Sequence, residues 1–368
     1  MKDFEYGDEQ IGEKELRFAI PSIVIGVGVL SLPRVIAQET NGVDGWVSIL
    51  LGGGLAMFMT WIVATLAARF PKTTFVDYAS LIVSKPIAII LTLLISIQFL
   101  LFTSYEVRSI ASVSKLYLFD RTPIEFIALS FFLVVIYGVS GSRAGLFRLN
   151  LLFLPIILFI ALVVSIFTLG WFEMNNLAPF FQTSFDGYRS ATKFSFLSFL
   201  GFGILLFYVA LVEQPKAVPK RTAVAMILPV FTYLLIYVAC IGVFADSAAG
   251  NMIYPTVELA KEVEIPGEFF ERFESIFFVI WIMAIFNTTA LSFDVTVLAI
   301  RSVLKKMSKL AIIFTLSPIV YLVAMYPQNF KDISLLGKFI TYYSVVFTVA
   351  VPILLLIIAK LRGVKGDV

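Results

Sequence analysis

The stretch 149–170, LNLLFLPIILFIALVVSIFTLG, runs without a single charged residue. A bilayer core about 30 Å thick is crossed by roughly 20 apolar residues in helical form. Comparable runs lie near 14–38, 45–68, 86–112, 123–140, 186–212, 222–245, 273–300, 309–326 and 339–360. With 149–170 they predict about ten transmembrane helices. Hydrocarbon offers no partner to backbone N–H and C=O groups, so only helices and closed barrels cross it. The alternating ten-residue segments of a barrel are not visible. Hydrophobic residues make up 60% of the chain, charged residues 14%, and the mean hydropathy is +0.96. No water-soluble fold hides that much apolar surface. The expected fold class is an all-α, multi-pass membrane protein embedded in a lipid bilayer.

The same composition removes several chemistries. There is no histidine, and Cys240 is the one cysteine. A histidine metal site, a histidine proton relay, a thiolate cluster and an intrachain disulfide are therefore all excluded. No GxSxG, HExxH or P-loop motif occurs, and Ser195 and Ser198 have no neighbouring base in the sequence. The expectation is a protein that is not an enzyme and that takes no cofactor or metal. The first residues, MKDFEYGDEQIGEKE, are acidic and polar, unlike the basic start and apolar core of a cleavable signal. With both termini inside, Lys and Arg gather at the inner flanks: Arg143 and Arg148, Lys216, Lys220 and Arg221, and Arg301, Lys305, Lys306 and Lys309. Each cluster reads as a topogenic flank, the positive-inside pattern. The clusters are short and lie beside helix ends, which argues against nucleic-acid binding.

Ten helices divide into five and five within one polytopic domain, residues 1–171 and 172–368. Each half opens on a span interrupted by Gly-x-Gly: Gly26-Val27-Gly28 and Gly201-Phe202-Gly203. Glycine costs a helix about 1 kcal/mol relative to alanine, so two in one turn weaken it locally. Paired interruptions at corresponding positions point to an inverted-repeat transporter fold with a binding site at the breaks of helices 1 and 6. The unwound turns would offer half-helix ends to a polar solute. The competing reading is that these glycines only permit close helix packing.

Polar residues inside spans are costly and point to sites. Gln98, Phe102 and Glu106 are spaced by four, which places them on one helix face. Glu106 would then lie near the outer mouth. Arg108 would either neutralise Glu106 or belong to the headgroup region. In the eighth span Asn287, Thr288 and Thr289 are followed by Ser292 and Asp294. Asn287 ranks first for hydrogen-bonding capacity, and Thr288 precedes Thr289, since a threonine hydroxyl can bond its own preceding turn. Tyr342 and Tyr343 fall about one turn inside the tenth span, where aromatic belts are an alternative account. Glu213 and Asp294 are placed towards hydrated helix ends, which leaves no obvious proton or sodium carrier in the membrane. The acidic segment from about Asp246 to Phe270, with Glu258, Glu262, Glu264, Glu268 and the lone cation Lys261, has the apolar residues Ile253, Val257, Leu259 and Ala260. It predicts either a short helix acting as an outer lid or a solvated loop.

Several stretches resemble one known family: GVGVLSLPR at 26–34, DGW at 44–46, YEVRSIASVSKLYLFDRTPIE at 105–125, NNLAP at 175–179, SFLGFGILLF at 198–207 and ERFESIFFVIWIMAIF at 271–286. Together they are similar to the B subunit of the nutrient germinant receptors of endospore-forming bacteria. These are the spore germination permeases of the amino acid–polyamine–organocation superfamily. The resemblance implies a LeuT/APC-like 5+5 inverted repeat in the spore inner membrane, with cytoplasmic termini. It also implies an amino acid or sugar as ligand, and two partners: a membrane A subunit and a lipoprotein C subunit. By position it assigns the ligand region to Gly26, Gly28, Gln98, Phe102, Leu200, Phe202, Asn287, Thr288 and Tyr343. Gly201, Gly203, Glu106 and Arg108 become structural or gating candidates. Gln98 and Phe102 depart from a strict small-amino-acid pocket. A sensor that signals to partners is the leading expectation; a secondary transporter of small solutes and a subunit with a vestigial pocket are the alternatives.

Overall fold

The computed structural model describes residues 11–263 and 273–366. Its helices follow the apolar runs. They are α1 Glu13–Val24, α2 Gly28–Ala37, α3 Gly45–Ala68, α4 Phe75–Ile82, α5 Lys85–Tyr117, α6 Ile124–Ser140, α7 Arg143–Phe167 and α8 Phe185–Ser198. After a 3-10 turn at Phe202–Ile204 come α9 Leu205–Tyr208, α10 Val218–Ala225, α11 Ile227–Asn251, α12 Pro255–Lys261, α13 Phe273–Val303, α14 Lys309–Met325 and α15 Phe330–Ser344. A π-helical turn at Val345–Ala350 leads into α16, Val351–Leu361. Caps written in the sequence start several of these helices. Thr74, Ser142, Ser184, Ser308 and Asn329 each accept from a backbone N–H three residues on, which satisfies a donor that the first turn leaves open.

Among the described residues, six helical segments are long and apolar enough to cross a membrane, and α1–α2 and α8–α9 each add one if counted as a bent span. The helices α6 and α14 have 17 residues each, about 25 Å at 1.5 Å per residue. That is shorter than the average hydrocarbon core, so the length criterion secures eight of the expected ten crossings. Several expected boundaries move: α7 opens at Arg143 rather than near residue 149, and α11 runs on to Asn251 rather than ending near residue 245. The third span continues past residue 112 to Tyr117, and the last begins at Phe330 rather than near residue 339.

At the centre stands α13, buried without interruption from Ala284 to Val297. A helix buried all round is a core element rather than a lipid-facing one. It packs most extensively against α5 and also touches α7, α1 and α6. The lipid-facing side chains lie on the periphery: Leu51, Phe58, Leu133, Tyr137, Phe159 and Leu322 are all exposed. In the loop over one end, α12 is the predicted short helix. Val257, Leu259 and Ala260 are buried and Ile253 is exposed. Glu264, Glu268 and Phe270 lie outside the described residues.

Candidate ligand cavity at two helix breaks

The first bent helix ends at Val24 and resumes at Gly28, with a 51° bend across Ile25–Val27. The freed backbone finds partners on other helices. Tyr233 donates its hydroxyl to the Val24 carbonyl (2.8 Å), and Thr288 donates to the Ser22 carbonyl (3.1 Å). Glycine at 26 is a steric requirement, since a Cβ there would lie 2.9 Å from Thr288 Oγ1 and 3.4 Å from Glu106 Oε2. Across the break the N–H of Val27 faces the Glu106 carboxylate.

The second bent helix turns by 43° between Ser198 and Phe202. A Cβ at Gly201 would press on Ile23 and Val24, at 2.8 and 2.9 Å, so the two breaks lie against each other. A Cβ at Gly203 would meet Thr348 Oγ1 at 2.9 Å. Thr348, in the π-helical turn, accepts from Gln98 Nε2 at 2.8 Å. One helix, α5, thus presents Glu106 to the first break and Gln98 towards the second.

Between the breaks lies a cavity of about 630 Å³. Gly26, Gly28, Gln98, Phe102, Glu106, Leu200, Gly201 and Thr288 all line it. Five expected residues do not: Phe202, Gly203, Asn287, Tyr343 and Arg108. Phe202 is fully buried, and Gly203 backs onto Thr348. Asn287 is fully buried with its amide nitrogen and oxygen unpaired. Thr288 takes the lining position because adjacent helical residues point about 100° apart. Tyr343 turns away, donating to the Leu94 carbonyl at 3.2 Å and packing on Phe347, while Tyr342 reaches the cavity. The sequence reading missed Phe99, Tyr105, Tyr254 and Phe330, which form apolar walls, and Arg34 and Lys338 at the exposed end. Phe99 and Tyr105 adjoin the Gln98–Phe102–Glu106 face of α5, a signal in the sequence that could have flagged those two.

The charged residues require three corrections. Arg108 does not neutralise Glu106; its guanidinium lies 3.9 Å from the Met325 sulfur and faces Glu125 and Asp332. Residues two apart on a helix cannot share a face. Nor is Glu106 a mouth residue: it is 2% exposed beside the break, with Oε2 unpaired. Hence the membrane interior does contain a carboxylate without a salt bridge. Asp294 is not partly hydrated, and Arg143 is not merely a flank. They form a buried bidentate pair, with Nε to Oδ2 at 2.7 Å and Nη2 to Oδ1 at 3.1 Å, and Tyr208 donates to Oδ2 at 2.9 Å. This cluster joins α7, α13 and α9 away from the cavity. Glu213 is exposed as expected.

A second polar clamp holds the segment before α3. Asp44 accepts from the N–H groups of Phe181 (2.6 Å), Gln182 (2.9 Å) and Thr183 (3.0 Å) and from the Thr183 hydroxyl (2.9 Å). The loop before α8 is thereby tied to the start of α3. Gly45 beside it leaves room for Ile36 and Tyr237.

Two discontinuous helices enclosing a cavity within an all-α bundle define a membrane protein of the LeuT/APC transporter fold. Solved structures support that class. Mhp1, a nucleobase-cation-symport-1 family transporter in a closed conformation with bromovinylhydantoin bound, matches with a TM-score of 0.69 at 13% identity, covering 96% of this chain and 78% of that one. MhsT, solved in complex with L-phenylalanine, matches with a TM-score of 0.71 at 16% identity, covering 98% and 91%. The sequence relationship is narrower: the chain belongs to the spore germination protein family, whose sequence model matches residues 10–333. Spore germination protein GerLB of Bacillus cereus is 42% identical over 368 residues, covering 100% of this chain and 98% of that protein. Spore germination protein YndE of Bacillus subtilis (strain 168) is 32% identical over 343 residues, covering 93% and 94%. The resemblance read from the motifs therefore holds, and the protein is a transporter-like spore germination permease of the germinant-receptor B-subunit type. These relatives are germination proteins and transporter-fold proteins rather than enzymes.

Proposed function

We propose that this chain binds a small nutrient, an amino acid or a sugar, in the cavity between its two broken helices and passes that binding on to partner subunits. The observation that carries the reading is the cavity itself. Its volume of about 630 Å³ falls within the roughly 300–1,000 Å³ of small-molecule sites, and both helix breaks border it. Gly26, Gly28, Gln98, Phe102, Leu200 and Thr288 would contact the ligand. Phe202, Asn287 and Tyr343 would support them from behind, and Gly201, Gly203, Glu106 and Arg108 would shape the moving parts. The partners are a membrane A subunit and a lipoprotein C subunit, and the site of action is the spore inner membrane with both termini cytoplasmic. The two five-helix halves, 1–171 and 172–368, would be inverted copies. A nutrient shifts such a bundle only by binding one of its states better than the other.

Thermal unfolding of the purified chain in detergent tests the reading, because a ligand of the folded state stabilises it by mass action. A nutrient that raises the midpoint of the wild type should lose that effect in Gly26→Trp, whose side chain would fill the cavity. An equal rise in Gly26→Trp would remove the cavity from consideration. A second reading, solute transport, is favoured by Glu106, a buried carboxylate within the membrane where the sequence pattern placed it at the outer mouth. Accumulation of solute in proteoliposomes under an ion gradient would establish it.

A further inference from the structure

Only two unpaired buried side-chain atoms belong to residues that line the cavity, among the described residues: Glu106 Oε2 and Gln98 Oε1. An ionised carboxylate accepts hydrogen bonds and donates none. The Val27 N–H meets the Glu106 carboxylate, but one neutral donor does not offset a buried charge whose Oε2 stays unpaired; a cation or a proton is needed. Among the described residues no cation forms a salt bridge with it. Arg108 faces away towards Met325, Glu125 and Asp332. Of the basic residues on the cavity wall, Lys338 is exposed and Arg34 half-buried, its guanidinium over the Phe330 ring at 5.7 Å. Arg34 lies six residues beyond Gly28, about 9 Å along α2. The cavity is therefore acidic at its buried end and mainly basic at its open end, where Glu39 is the one acidic liner.

Resting on the nutrient-binding reading above, we propose that Glu106 is the specificity-determining counter-ion for an ammonium group, so that the ligand is an amine-bearing zwitterion held with its cationic end innermost. An ammonium brings three donors and a full charge to the carboxylate. Its anionic end then lies towards Arg34 and Lys338, where the Phe330 and Tyr105 rings wall the cavity. A sugar could donate hydroxyls to Glu106 but would leave the charge uncompensated, and an anion would be repelled. A sodium ion would satisfy the charge yet leave most of a 630 Å³ space unfilled.

The test uses the full chain in detergent and matched probes. Amino acids (alanine, leucine, phenylalanine) are compared with their 2-hydroxy acid counterparts (lactate, 2-hydroxyisocaproate, phenyllactate), with glucose, and with sodium chloride against choline chloride. The expected result is that at least one amino acid raises the unfolding midpoint while its hydroxy acid does not. Glu106→Gln should weaken that amino acid at least 10-fold by calorimetry, and Glu106→Asp should recover part of the loss. The comparison of amino acid with hydroxy acid needs no variant, so it stands even if Glu106→Gln does not fold. A hydroxy acid or glucose binding as well as the amino acid overturns the proposal but keeps the cavity as a nutrient site. So does an amino-acid affinity unchanged in Glu106→Gln, or a midpoint that follows sodium alone. A wild type that responds to none of the probes overturns both.

Discussion

At the scale of single residues, Asp44 makes the sharpest prediction. Burial alone would raise its pKa, but the N–H groups of Phe181 and Thr183 and the hydroxyls of Thr183 and Tyr188 outweigh that and hold it below the ordinary carboxylate value. A lowered pKa adds stability above the unfolded value of about 4, and that stability is lost as the pH falls through the folded value. Thermal unfolding across pH 3–7 should therefore show a decline on the acid side that Asp44→Asn lacks. At neutral pH the variant should be less stable by about 1–3 kcal/mol, because an amide nitrogen would face N–H donors. Asp44 was visible in the sequence only as part of a family motif. Its donors lie about 140 residues away, beyond any local pattern. By contrast, the shared face of Gln98, Phe102 and Glu106 was legible, since spacing by four needs no tertiary information. That Thr288 rather than Asn287 lines the cavity was not legible, because hydrogen-bonding capacity says nothing about how a helix is rotated about its axis.

At the scale of elements, the breaks were legible and their fastenings were not. Two glycines in one turn announce a weak point in any helix, but Thr288 and Tyr233, which bond the backbone before the first break, and Thr348, which bonds Gln98 beside the second, come from distant helices. Thr348→Val should leave the Gln98 amide without its partner and cost about 1–3 kcal/mol, whereas Thr348→Ser should stay near the wild type. Chemical denaturation in mixed micelles would measure both, and equal stability of the two would dismiss the hydrogen bond. The Arg143–Asp294 pair makes a stronger contrast. Removing one partner, as in Arg143→Ala, leaves a buried charge and should cost about 3–5 kcal/mol. The double change Arg143→Met with Asp294→Leu should recover much of that loss, since an apolar pair of similar size is often neutral. Failure of the double variant to recover would mean that Tyr208, left without its acceptor, matters more than the ion pair.

For the whole molecule, the number of crossings depends on two short helices. Lys306 precedes α14 and Ser334 follows it, at the open end of the cavity. Both are exposed, while Cys240, the one native cysteine, is buried. If α14 crosses, an impermeant maleimide should label Lys306→Cys and Ser334→Cys from opposite faces of sealed vesicles. Labelling of both from one face would make α14 a re-entrant or surface helix. The membrane class itself needed only composition, because nothing but lipid solvates so much apolar surface. The count is harder, because hydropathy measures length and not trajectory.

One fastening has a mechanical consequence. Tyr208 anchors α9 to Asp294, and Tyr78 donates to the Leu206 carbonyl at 3.2 Å. On the far side of the break, α8 is fastened to α3 instead: Ser48 donates to the Tyr188 carbonyl at 3.3 Å, and Asp44 holds the loop before it. Its Lys193 reaches Tyr342 at the surface. The broken helix is therefore a door whose two leaves are bolted to different frames, α9 to α13 and α8 to α3. The α8 leaf, about 21 Å long, can move only together with α3, and a rotation of the pair by about 10° would carry its far tip on the order of 4 Å. A solute wedged at the pivot would thus be read out, magnified, at the rim.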